Sequence, residues 1–196
     1  MKRRRFSFEV RPGAAVLLAG LYFLLPLRWC ARLALTVTAH ELGHVAALIL
    51  CGAEVCGLRM EGCGLALRCT PPEGALRTVM AALAGPAAGA GLFFILRGLG
   101  YAACAELSLL FSCVNLLPVL PLDGGRILLG LMTMLLGART GERIAYRISI
   151  AITVLLLIAG TVLAFNNGSK APAAAALWLM LAQRNGGAEL FKEKEC

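Results

Sequence analysis

The chain contains two histidines, and both fall within the run His40-Glu41-Leu42-Gly43-His44. On an α-helix, positions i and i+4 share a face about 6 Å apart along the axis, so two imidazoles at this spacing can meet one tetrahedral metal ion. Glu41, between them, is placed to act as general base on a water that such a metal activates. The surrounding stretch, "TVTAHELGHVAALIL" over residues 36–50, otherwise reads as a lipid-soluble helix. An ionisable side chain at mid-bilayer costs roughly 2.5–3.5 kcal/mol on insertion scales, so three within five residues call for a partner or a purpose. A catalytic metal is such a purpose.

A catalytic zinc takes three protein ligands and keeps one position open for water. With no third histidine, the remaining donors are Asp123, Glu106 and cysteines such as Cys104 and Cys113. Asp123 is the strongest, because it lies in "NLLPVLPLDGGR", where Pro118 and Pro121 interrupt a helix and Gly124 and Gly125 follow. Irregular backbone at membrane depth is tolerated where protein or a watery cavity surrounds it, which is how a site is built. An aspartate here can also cap the helix that begins beside it. Asn115, eight residues earlier, offers amide donors for a substrate backbone or a developing oxyanion.

These residues need a membrane scaffold, and the composition supplies one. The 196 residues are 59% hydrophobic and 15% charged, with a mean hydropathy of +0.79. Those values lie outside the range of ordinary soluble domains and mark an integral membrane protein. Apolar runs at about 14–30, 33–50, 78–97, 99–117, 124–137 and 144–165 give about six transmembrane helices. The fifth is short enough to be a half-helix, and a further run at 171–182 is too short to cross. In the first run, Arg28 and Trp29 are expected as interfacial anchors. Lys2, Arg3, Arg4 and Arg5 precede it like a signal peptide's basic end, but no clean small-residue cleavage pattern follows, so it is read as a retained anchor. One domain is expected over residues 1–196.

The net charge of +8 does not point to nucleic acid, because the basic residues are scattered between apolar runs without interleaved aromatics. They report topology instead. With a cytoplasmic N-terminus, alternate connections place 13 Lys and Arg on the cytoplasmic side and six on the other, which puts both termini in the cytoplasm. Arg139, Arg143 and Arg147 run against that bias. Cys51, Cys56, Cys63 and Cys69 crowd into one connection without a CxxC pair and read as reduced, small apolar side chains.

That connection, "GAEVCGLRMEGCGLALRCTPPEG", partly alternates in polarity and reads as short membrane-associated strands over about 53–69, a β-hairpin region. An open strand edge cannot face lipid, so it belongs at the interface or inside the protein, where it can accept another chain. The next run holds "LAGPAAGAG", with Gly85 and Gly89 at the spacing that lets membrane helices approach closely, and Pro86 between them.

Together these motifs resemble the site-2 protease group of intramembrane zinc metalloproteases, peptidase family M50. "HELGH" resembles its HExxH, "AGPAAG" its glycine-rich third-span segment, and "NLLPVLPLDGGR" its N-x-x-P-x-x-P-L-D-G motif, in matching order over about residues 33–137. The resemblance implies an all-α polytopic membrane fold with a three-helix catalytic core. It also implies one zinc per chain held by His40, His44 and Asp123, with Glu41 as catalytic acid/base and Asn115 as a substrate or oxyanion contact.

The short plan is most like the stage IV sporulation FB-type proteases, which release a pro-sigma factor, and no PDZ or C-terminal CBS domain is expected. Two features depart from relatives. The strand region reads "LRMEGCGLAL" where a phenylalanine-proline-leucine-glycine-glycine pattern is common, and the nucleotide-sensing CBS domain of some members is missing. The expected function is hydrolysis of a peptide bond in a membrane-embedded or membrane-tethered protein, possible partners being the bilayer, that substrate and regulatory membrane proteins. A non-proteolytic zinc-binding or transport protein is the competing reading, and it would not need Glu41.

Overall fold

The computed structural model describes residues 7–10, 19, 23, 25–53, 55–61, 64–69, 74–167, 172, 174–181 and 183. The chain divides into two compact units, Met1–Asn115 and Leu116–Cys196.

In the first unit, β1 (Ser7–Val10) is followed by α1 (Leu27–Leu50), β2 (Val55–Glu61), β3 (Gly64–Cys69), α2 (Ala75–Gly98) and α3 (Ala102–Asn115). Pro26 caps the start of α1, as expected of a residue that has no N–H to satisfy and a fixed φ. Arg28 and Trp29 therefore belong to the first turn of α1. They do not end the preceding run, because an arginine stops a hydropathy run without stopping a helix. The Arg32 guanidinium lies 4.8 Å from the Trp29 ring one turn further on, a cation–π pair fit for an interface. The first apolar run, up to that proline, lies mostly outside the described residues.

The buried residues of α1 are Thr36, His40, His44 and Leu48, a stripe repeating every four residues, while Leu35, Leu42, Ile49 and Leu50 are exposed. A soluble helix would show the reverse pattern. A helix that points its polar residues inward and its leucines outward is built for lipid. Helices α1, α2 and Ala138–Asn166 are long and apolar enough to cross a membrane.

Close helix approach follows from small residues. A Cβ on Gly43 of α1 would come within 2.5 Å of the Ala84 carbonyl oxygen and 2.6 Å of the Ala88 Cβ on α2. Further along α2, a Cβ on Gly89 would collide with the Ser112 hydroxyl of α3. The Ser108 hydroxyl donates to the Gly89 carbonyl (2.8 Å) and that of Ser112 to the Ser108 carbonyl (2.9 Å). The buried hydroxyls of α3 are thus satisfied inside the unit.

β2 and β3 run antiparallel, with Leu58 opposite Leu67 and Glu61 opposite Gly64, and β1 joins β2 in parallel, with Ser7 opposite Gly57. The strand order β1-β2-β3 leaves β1 and β3 as the edges. Cys56 and Cys69 lie on these strands, Cys63 falls outside the described residues, and Cys51 is a half-buried free thiol.

The second unit starts with an irregular segment, 116–122, which leads into α4 (Asp123–Leu136) and α5 (Ala138–Asn167). Gly137, at φ +78°, makes the sharp reversal between them. α5 begins at Ala138, six residues before the apolar run, because Arg139 and Arg143 on its exposed face do not interrupt its backbone. Its buried stripe reads Gly141, Ala145, Ser149 and Thr153, and a helical stretch including residues 174–181 buries Ala176 and Leu179.

Candidate metal centre

The histidine pair is built by α1 and held by α2 and α3. His40 and His44 are 3% and 8% exposed, and their Nε2 atoms lie 3.1 Å apart. Two nitrogens bound tetrahedrally to one zinc at 2.0–2.1 Å are about 3.3 Å apart, so the pair is spaced for a shared metal. His44 Nδ1 lies 2.8 Å from the Ala81 carbonyl oxygen on α2. A carbonyl only accepts, so Nδ1–H donates and neutral His44 presents a lone pair on Nε2. This is the outer contact that fixes a metal-ligating imidazole.

Two further residues shape the pocket. The Phe111 ring of α3 meets the His40 ring edge-on at 5.1 Å between centroids. Gly85 of α2 faces both histidines: a Cβ there would lie 2.8 Å from His40 Nε2 and 2.5 Å from His44 Cε1, and closer still to His44 Nε2. The two imidazoles can lie this close to α2 because residue 85 has no side chain. In the sequence the stretch holding Gly85 reads first as helix packing, with a border to a site as the alternative, and nothing marks Phe111, although it stands one turn before Asn115 on the same helix.

The other sequence candidates separate clearly. Glu41 is half-buried on α1 between the histidines. Asn115 ends α3, and its amide donates one N–H to the Phe111 carbonyl (3.0 Å). Asp123, 5% exposed, is the first residue of α4 in the second unit. Glu106 is exposed and pairs with Arg97 at 3.7 Å, a solvated ion pair and not a buried ligand. Cys104 and Cys113 are free thiols, half-buried and exposed respectively.

The start of α4 is packed against its own approach segment. A Cβ on Gly124 would strike the carbonyl oxygens of Leu116 and Leu117, and one on Gly125 would lie 2.5 Å from Leu120 N. The two glycines after Asp123 therefore let the 116–122 segment fold directly onto the helix end.

The family model for peptidase family M50 matches residues 75–158, from the start of α2 into α5. That stretch is 84 of the 196 residues, and over it the chain is similar to peptidase family M50. The matched stretch contains "AGPAAG" and "PLDGG" but begins after "HELGH", so the histidine pair is an independent observation. Among solved structures, the site-2 protease from Methanocaldococcus jannaschii shares its fold, with a TM-score of 0.68 and 20% identity over 94% of this chain and 92% of that one. No curated protein sequence matches the chain.

Proposed function

We propose that the chain is an intramembrane zinc metalloendopeptidase of the site-2 protease type, which cleaves a membrane-tethered regulatory protein, such as a pro-sigma factor, at a zinc centre held by His40, His44 and Asp123. The observation that carries this reading is the buried histidine pair, 3.1 Å between Nε2 atoms, packed against Gly85, where any side chain would collide with those nitrogens. All three donors are buried, as a site shielded from bulk water requires. When bound, one zinc per chain would supply Lewis-acid chemistry for peptide hydrolysis. The Glu41 carboxylate is the group to take a proton from the attacking water and deliver it to the leaving amine. Asn115 keeps an amide N–H and its carbonyl oxygen available for the substrate backbone.

A transmembrane substrate hides its amides in helical hydrogen bonds and must unwind before it can be cut. Adding it as a strand along an edge such as β3 would satisfy its backbone during that step. In our reading the 196 residues form one membrane protease domain with both termini cytoplasmic. The 13 Lys and Arg in the connections on that side, against six on the other, support this orientation, with Arg139, Arg143 and Arg147 running against it.

The test is co-expression with candidate membrane-tethered transcription factors. A soluble fragment should appear with the wild-type protease and disappear on zinc chelation; its persistence under chelation would refute the assignment. Asp123→Ala should lower zinc content from one per chain to a small fraction, measured by atomic spectroscopy on purified protein. Undiminished zinc would remove Asp123 from the ligand set.

A further inference from the structure

The second unit contains a buried polar network that the chemistry above does not use. Ser149, 0% exposed, lies on the inner stripe of α5, and its Oγ accepts a hydrogen bond from the Leu120 peptide N–H at 2.8 Å. The same oxygen accepts from Gln183 Nε2 at 2.9 Å, and Gln183 also donates to Thr153 Oγ1 at 2.7 Å. Thr153 spends its own proton on the Ser149 carbonyl, 2.9 Å away, so its oxygen must accept and the Gln183 amide must present its NH2 here. Gln183, 5% exposed, thus spans both hydroxyls with its amide NH2.

What this network holds is the segment leading to Asp123. Leu120 stands three residues before the aspartate. On one side the segment is pressed against Gly125, and its Val119 is fully buried. On the other, Ser149 grips the peptide N–H. Serine, threonine and glutamine on apolar helices would be an idle expense if they only joined helices, since apolar side chains of similar shape do that at no polar cost. A peptide N–H in an irregular segment has no helical acceptor and needs one supplied.

We propose that Ser149 and Gln183 are positioning residues for Asp123. Ser149 fixes the 116–122 segment through the Leu120 N–H, and Gln183 fixes the Ser149 hydroxyl, so that the carboxylate is presented in one place. The inference rests on the reading of Asp123 as a zinc ligand. Outer contacts of metal ligands are worth roughly 10- to 100-fold in metal affinity, and that is the scale expected here.

The experiment uses the full chain, purified in detergent as wild type, Ser149→Ala, Gln183→Leu and Asp123→Ala. Zinc affinity is measured by chelator competition, and ligand geometry by the visible absorption of the cobalt-substituted protein. Ser149→Ala should bind zinc about tenfold or more weakly and alter the cobalt bands, with Gln183→Leu in the same direction and smaller. Should Ser149→Ala not accumulate, Gln183→Leu carries the same comparison. Wild-type affinity and cobalt bands in the serine and glutamine variants, alongside a loss in Asp123→Ala, would overturn the positioning role alone. Wild-type behaviour of Asp123→Ala would overturn the ligand reading and the positioning role with it.

Discussion

Replacing Glu41 by glutamine is expected to lower cleavage by at least about 10²- to 10⁴-fold, the range a positioned general base contributes, while zinc content stays at one per chain. Glutamine has nearly the shape of glutamate and hydrogen-bonds as well, but it cannot take a proton at neutral pH. Glu41 sits on α1 between two buried histidines, and each imidazole has a contact to another helix. The Ala81 carbonyl fixes His44, and Phe111 packs against His40. The ring positions should therefore survive the substitution. Fragment release and zinc content measured on one preparation decide the matter. Full activity would remove Glu41 from the proton path, and activity lost together with zinc would show instead that the histidine pair had been disturbed.

The part of the site that was legible in the sequence is the part encoded by spacing. Two histidines four apart on an apolar helix leave few readings, and "PLDGGR" after two prolines marks both an interruption and the start of α4. Boundaries drawn at arginines were less successful. α1 starts at Leu27 and α5 at Ala138, because a charge on an exposed helical face ends a run of hydropathy without ending the hydrogen-bonded backbone. The N-terminal residues were read as a basic flank, yet Ser7–Val10 pairs in parallel with β2 about 50 residues away, and local composition carries no sign of such a pairing. Ser149 and Gln183 look unremarkable in sequence for the same reason. Their significance lies in the Leu120 N–H, which lies 29 residues before one of them in the chain.

Gly85→Ala should cost the protein its zinc, with metal content and cleavage both falling about tenfold or more, whereas Gly89→Ala should cost stability and leave zinc per folded chain unchanged. In sequence the two glycines are equivalent members of one small-residue motif. What each glycine's missing side chain makes room for distinguishes them. At position 89 the neighbour is the Ser112 hydroxyl, the end of a short side chain, and overpacking of this kind typically costs about 1–3 kcal/mol. At position 85 the neighbours are His40 Nε2 and His44 Nε2, the atoms a metal would bind. Retreat of α2 would give up the close Gly43–Ala84 packing against α1 and disturb the hydrogen bond from the Ser108 hydroxyl to the Gly89 carbonyl that ties α2 to α3. Otherwise the imidazoles must rotate, which breaks either the 2.8 Å contact to Ala81 or the 3.1 Å spacing between nitrogens. Thermal unfolding and zinc content measured on both variants separate the two effects. Wild-type zinc affinity in Gly85→Ala would mean that the lack of a side chain beside the histidines has no part in holding the metal.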